Sequence, residues 1–536
     1  MKKSSSHTQP RHFRTIWLLL VCSALYFVLF IFPNLSGAQT PDMLAIFEVD
    51  EFAQYEHAVR MASGTDNWRD SLREFVVYQH YFYGYPFYFF SALVLLPLRL
   101  LLGSGWVEYT STIVVVLRQL INVLPNLLSV WLLTYAATEF RSNFKTISLF
   151  LLMLLLPGLT GNSLWWHADG LGLLFMALVF FFLRLDRLRF GRYFWLSALA
   201  AGIGLGIKYV GGFFVFAIPL YLLLGLQHKT LTPARFVGYA AGFVALMLAA
   251  FVITNPLLLF PPRADLIATQ RLQFEQTSQG ILMGPSGFLQ NGRLPSWLTT
   301  NFGSPLFLAL LGVALVIGWR KGGKPRLHAA LLTAWLLPNL VVMLNASSWR
   351  IHYWLPIMLP AMTALVFVLP ERWQDLRPGP GKARVVLQWA LVAFLAWQAS
   401  QFAVSSGQHY LHNLQREQTS ASLRFYRSVQ PLLAEQTSPL HIYRDWKVYF
   451  PAEDDISVFM DWDLGSHEML NSEQPDVLLL ERENVETYGD ADYLASAPDP
   501  ERLEPMHRFY RAALLDGFSR YQLIYEDDFG LVFLRQ

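Results

Sequence analysis

Long apolar runs constrain this chain more than any other feature. A helix that crosses a bilayer needs about 20 mostly apolar residues, because its backbone polar groups must be satisfied within the segment itself. Residues 13–33, FRTIWLLLVCSALYFVLFIFP, form the first such run, with Lys2, Lys3, Arg11 and Arg14 around its start. It exceeds the ~7–15-residue apolar core of a cleaved signal peptide and reads as an anchor. Further runs fall at 118–138, 146–163, 168–184, 193–207, 209–226, 235–258, 304–319, 327–345, 353–369 and 385–404. The expectation is an α-helical polytopic membrane protein with about eleven crossings. Of the 536 residues, 54% are hydrophobic and 15% charged, against roughly 25% charged in soluble proteins. That deficit excludes a soluble enzyme, a disordered chain and a nucleic-acid binder. A single cysteine, Cys22, rules out an intrachain disulfide or a thiolate metal cluster.

Lys and Arg in the short loops set the orientation. Arg141 and Lys145 punctuate one loop, and Arg184, Arg187, Arg189 and Arg192 the next. Lys229 and Arg235, then Arg320, Lys321, Lys324 and Arg326, then Arg372, Arg377, Lys382 and Arg384 follow. All fall on the side of the N-terminus if 193–226 is a hairpin of two short helices, and that side is read as cytoplasmic. The apolar stretch 82–102, which holds Pro86 and Pro97, would break this parity by crossing, so it is expected to be re-entrant or interfacial. The expected membrane domain is 1–405, with outward loops 34–81 and 259–303. The polar remainder, 406–536, is expected to be an extracytoplasmic α/β domain with strands near 476–480, 521–525 and 531–534. The membrane concerned would be the cytoplasmic (inner) membrane.

Four sites on the outward side could carry chemistry. Asp50 and Glu51 lie at the start of an amphipathic stretch after the first run. Carboxylates there cap a helix in the ordinary case, and serve as a general base or metal ligands in the functional one. Trp165-Trp166-His167-Ala168-Asp169 opens another crossing helix, where a Trp pair is usually an anchor and the Asp a cap. Lys208, with Tyr209 beside it, interrupts the Gly-rich run GIGLGIKYVGG, and a charge inside a long apolar run is costly unless it functions or snorkels. Arg350, His352 and Tyr353 in SSWRIHYWLP could grip a phosphate, or merely belt the interface. No HExxH, GxSxG or P-loop spacing is present. What favours function is convergence: acids and cations from distant segments share one side.

Taken in order, the Asp50-Glu51 loop, YGYPFYFF with its Tyr85, HAD at 167–169, GIKYVG, TNPLLLFP at 254–261 and RIHYWLPIMLP at 350–360 resemble the GT-C glycosyltransferases. The similarity is to the branch of protein O-mannosyltransferases and lipid A aminoarabinose transferases. It implies a polyprenyl-phosphate sugar as donor and an acceptor hydroxyl on a glycan, lipid or protein outside the cytoplasmic membrane. It also implies Asp50 as base with Glu51 beside it, and Asp169 as second acid. Lys208, Tyr209, Arg350, His352 and Tyr353 would hold the donor phosphate, with His167 and Tyr85 at the sugar or acceptor. No cofactor is required by this chemistry, although paired acids are compatible with a divalent metal. The rival reading, a secondary transporter, would show inverted-repeat symmetry and lack a large C-terminal domain.

Overall fold

The computed structural model describes residues 11–260, 262–271, 294–344, 350–372, 382–436, 439–462, 464–497 and 500–536. The chain forms two units, one of Met1–Asn34 with His57–Asn413 and one of Leu35–Glu56 with Leu414–Gln536. This corrects the expected division at 405/406. Residues 35–56, assigned from sequence to the membrane domain, group instead with the C-terminal unit, and the division falls inside the helix Val49–Ser63.

The first unit is helical. Among the described residues, seven helices are long and apolar enough to cross a membrane: Phe13–Leu35, Tyr85–Glu108, Thr110–Thr138, Ala168–Asp186, Pro233–Ile253, Lys324–Leu344 and Val385–Leu414. Leu294–Phe302 and Pro305–Arg320, bent by 75° at the break between them, pass the same test only as a pair, as a broken span or a re-entrant loop. Shorter apolar helices are Asn143–Leu154, Arg192–Ile207, Gly211–Gln227 and Ile351–Phe367. Pro157, which lacks a donor and starts a new helix, splits the run expected as one crossing at 146–163 into Asn143–Leu154 and Pro157–Asn162.

The two ends of this bundle differ in chemistry. At one end basic loops far apart in sequence converge on Glu139, whose carboxylate meets Arg184, Arg187 and Lys324 at 3.1–3.4 Å as well as Arg141. Lys145 pairs with Glu371 at the same end, 2.5 Å away. Burial opposes the Glu139 charge, but the Lys324 hydrogen bond and the Arg184, Lys324 and Arg187 charges hold its carboxyl below the usual range. This clustering matches the hairpin reading of 193–226, which places these loops together.

At the other end, here called the rim, Asn34, Arg118, Asn122, Asn126 and Asn162 form a buried polar layer. Arg118 donates to the Asn34 carbonyl at 2.7 Å, and the Asn162 amide donates to Asn126 at 3.1 Å. The helix Tyr85–Leu102 begins here, with the Tyr85 N–H donating to Asn255 Oδ1 at 3.1 Å. Near its other end Arg99 donates to the Ala62 carbonyl at 2.9 Å, and Arg118 follows it at the rim. By length and composition this helix is among those able to cross a membrane, and Phe90 on it lies 6.4 Å from Phe175 of Ala168–Asp186.

In the second unit five strands, β1 (Leu440–Arg444), β2 (Ile456–Phe459), β3 (Val477–Glu481), β4 (Tyr521–Glu526) and β5 (Gly530–Arg535), make a sheet ordered β2-β1-β3-β5-β4. The first three are parallel, while β5 runs antiparallel to β3 and to β4. In β3, Val477 and Leu479 face one apolar cluster and Leu478 and Leu480 the other, so a strand covered on both sides reads as an unbroken apolar run. Residues 35–56 are fastened to this unit by long-range polar contacts. Arg444 pairs with Asp42 at 2.8 Å, Arg416 Nε donates to the Ser36 carbonyl at 3.1 Å, and the Arg416 guanidinium lies 4.9 Å from the Phe47 ring centre.

Candidate functional site

The rim site is assembled from four segments of the first unit. An α-helix passes into a π-turn at Arg118–Val123, inside Thr110–Thr138, and so turns Arg118, Gln119 and Asn122 all into the buried interior. Such turns re-aim side chains that a regular helix would spread around its surface. Asn122 Oδ1 accepts the backbone N–H of His167 at 3.0 Å, while its amide donates to the Asn162 carbonyl at 3.0 Å. His167 itself is extended and precedes the helix Ala168–Asp186, with Asp169 in the first turn. Gly170 lets this helix press against the π-turn, since a Cβ there would lie 2.7 Å from the Ile121 carbonyl oxygen.

Asp169 is the hub. Its Oδ1 accepts from Lys208 Nζ at 2.7 Å, and its Oδ2 meets His167 Nδ1 and lies 3.9 Å from His352 Nε2. All four side chains are at least four-fifths buried. The Trp165 ring stacks flat on His167 at 4.2 Å and sits 4.9 Å from His352. Lys208 Nζ also lies 5.2 Å from the centre of the Tyr353 ring, a cation–π distance. Lys208 follows the last residue of the helix Arg192–Ile207 in extended conformation, which stops its side chain from joining the helix surface.

The segment 83–85 closes the site. Tyr83 Oη lies 2.5 Å from His167 Nε2. The approach is possible because Gly84 packs directly on the Gly206 carbonyl, where an added Cβ would stand only 1.5 Å from the oxygen. Tyr85, the residue expected at the sugar, instead turns its ring to Tyr78, Phe75 and Phe89. Nearby, outside the spanning segments, burial and then the charge of His57 push the His80 imidazole down to about 4, so it is neutral at physiological pH.

The structure therefore brings together His167, Asp169, Lys208, His352 and Tyr353. Arg350 is exposed just before Ile351. Tyr209 opens a short turn and its side chain lies outside the described residues, as do positions 272–293 of the expected outward loop 259–303. Asp50 and Glu51 belong to the second unit, in the first turn of Val49–Ser63, with Glu51 buried and Asp50 half-buried. Tyr83, Asn122 and Arg118 are the residues that sequence reasoning missed. A polar pair inside an apolar run was the available signal for the last two.

Among the described residues no group of three or more His, Cys, Asp or Glu side chains is placed to hold a metal ion. The donor set at Asp169 also fits a metal poorly, because an ammonium already occupies one of its carboxylate oxygens.

No family model matches this chain, and no curated protein matches it in sequence. Its fold is similar to that of ArnT from Cupriavidus metallidurans bound to undecaprenyl phosphate, at 14% identity and a TM-score of 0.50, covering 97% of both chains. The apo state of that protein aligns at 14% identity and 0.47, over 97% of this chain and 98% of that one. AglB from Archaeoglobus fulgidus, in complex with an inhibitory peptide and a dolichol-phosphate, aligns at 13% identity and 0.48, over 92% of this chain and 72% of that one. The chain is a multi-pass membrane protein that shares the fold of ArnT.

Proposed function

We propose that the chain is a membrane glycosyltransferase that moves a sugar from a polyprenyl-phosphate donor to an acceptor hydroxyl, with inversion. The observation that carries this reading is the buried Asp169–Lys208 pair, flanked by His167, His352 and Tyr353, at one rim of an apolar bundle. Ionisable groups in such a place are expensive and are kept for function. The fold shared with ArnT, which was solved with undecaprenyl phosphate, agrees with it.

A lipid-linked sugar stays in the bilayer, since each buried CH₂ contributes about 0.8 kcal/mol. Its phosphate must then meet cations at the membrane edge. The Lys208 ammonium has three donors, of which Asp169 takes one, so it can face a phosphate while remaining held. Arg350 adds a planar fork suited to phosphate oxygens, and His352 and Tyr353 add polar edges. Charge grows on the phosphate oxygen as its bond to the anomeric carbon breaks, and fixed cations there lower the barrier. The acceptor oxygen forms the new bond on the opposite face as its proton leaves to a carboxylate base, the role that the sequence resemblance gives to Asp50 with Glu51 beside it. Asp169 and His167, oriented by Asn122 and Tyr83, hold Lys208 in place and line the sugar pocket. The basic loops gathered at the other end of the bundle favour a cytoplasmic N-terminus and an outward-facing site in the inner membrane.

The test is transfer from synthetic polyprenyl-phosphate sugars by the purified protein in nanodiscs, with product detected by mass spectrometry. Transfer that is lost in Asp50→Asn and Lys208→Met, with membrane insertion unchanged, supports the reading. No turnover of any lipid-linked donor, with solute uptake in sealed vesicles, overturns it in favour of transport. Lipid-linked sugars that accumulate on deletion would identify the donor.

A further inference from the structure

The second unit contains a cleft of about 960 Å³ that the transfer chemistry does not use. Its position follows from the sheet. Trp446 lies just past the end of β1, and Asp461 and Trp462 just past the end of β2. Tyr488 lies on the helix Arg482–Gly489, which starts directly after β3. All three parallel strands thus send their carboxyl-terminal connections to one opening, which is where open α/β sheets bind ligands. Glu468 and Arg502 line its other walls.

We propose that this cleft binds an oligosaccharide. Two indoles dominate it: Trp462 is 49% exposed and Trp446 is half-buried, with centroids 5.9 Å apart and planes tilted by 54°. The Trp446 N–H donates to the Asp461 carbonyl at 2.7 Å and fixes that ring. A pyranose has an apolar face of C–H groups and a rim of hydroxyls, so it suits a rigid aromatic plate beside carboxylates that accept from the hydroxyls. The lining carries three carboxylates, Asp461, Glu468 and Glu473, against one guanidinium, Arg502. That balance disfavours phosphorylated or nucleotide ligands. The volume lies near the top of the roughly 300–1,000 Å³ range of small-molecule sites, enough for several sugar rings and far more than a single ammonium needs.

One wall residue of the cleft packs against the helix that carries the proposed base. Phe52 packs against Trp462 at 6.0 Å, within the same unit, two residues after Asp50. Identifying the bound saccharide as the acceptor rests on the transferase reading. The binding itself does not.

The experiment uses the full-length protein in nanodiscs, without donor. Chitotetraose and maltotetraose are titrated while saturation-transfer NMR and tryptophan emission are followed. Saturable binding of either sugar, weakened by about tenfold or more in Trp462→Ala and largely kept in Trp462→Tyr, supports the proposal. Saturable binding left unchanged in Asp50→Asn, whatever happens to transfer, supports it too and separates its fate from that of the enzyme. No saturable sugar binding, equal binding by Trp462→Ala, or binding of tetralysine alone overturns it, the last by making the cleft a site for basic peptides.

Discussion

Asp169 and Lys208, 39 residues apart, meet at 2.7 Å inside a largely apolar bundle, and each is the other's reason for being there. Taking a single charge out of water is costly, whereas a paired one recovers much of that cost. Asp169→Asn should therefore destabilise the first unit by about 3 kcal/mol, at the low end for a broken buried pair because Lys208 retains some exposure. The double variant Asp169→Asn with Lys208→Met should recover most of this stability yet remain inactive. Thermal unfolding in detergent, run beside the transfer assay, checks both halves. A double variant as unstable as the single one refutes the pairing argument.

Lys208 alone should matter more to rate than to binding. A cation aimed at charge that grows in the transition state is worth about 10²–10³ in turnover when removed. Lys208→Met should thus lower kcat by about that factor and shift the donor KM far less. Lys208→Arg should restore part of kcat, since the guanidinium can still reach a carboxylate and a phosphate together. A large rise in KM with kcat intact would assign Lys208 to ground-state binding instead.

Much of this site could be read from the sequence, and the rest could not for definite reasons. HAD at a helix start and a lysine inside a Gly-rich apolar run are visible because charge is rare in such surroundings. Asn122 and Arg118 do not stand out because they sit inside a run long enough for one crossing, and only the π-turn aims them inward. In YGYPFYFF the pattern marks the segment but not the residue. Tyr83 rather than Tyr85 reaches His167, because Gly84 allows backbone contact with Gly206. The apolar strands β3, β4 and β5 match the expected positions, while β1, LHIYR, carries too many polar groups to stand out. The grouping of 35–56 with the C-terminal unit depends on Arg416 and Arg444, whose partners lie about 380–400 residues away, beyond any local pattern.

Gly84 gives a sharp steric test. A methyl group there would overlap the Gly206 carbonyl oxygen, and neither backbone can yield without moving Tyr83 away from His167. Gly84→Ala should abolish transfer and lower the melting temperature by several degrees, in keeping with overpacking costs of about 1–3 kcal/mol. Gly312→Ala, in the helix Pro305–Arg320 with no atom near its added Cβ, should leave both unchanged or slightly raise stability. Equal behaviour of the two variants would mean that the close approach at Gly84 is not required.

Two carboxylates should give the two units opposite responses to acid. Asp445 is fully buried, and that burial raises its carboxyl above the ordinary value even though Tyr510, Asn484, the Glu481 N–H and Tyr443 all donate to it. A raised acid stays protonated longer in the folded state. Its penalty is absent below the unfolded value of 3.8, grows as pH rises through the window above it, and is constant beyond the folded value. Glu139 is lowered, so its stabilisation is full above 4.5 and is lost as pH falls through its folded value. Hydrogen exchange read by mass spectrometry, between about pH 3 and 6 and corrected for intrinsic rates, should show β1 and β3 better protected toward acid and the ends of Thr110–Thr138 and Ala168–Asp186 less so. Asp445→Asn should flatten the first trend and Glu139→Gln the second, each without touching the other. If Asp445→Asn leaves the slope in β1 and β3 unchanged, some other buried acid, with Glu481 the nearest alternative, governs that sheet.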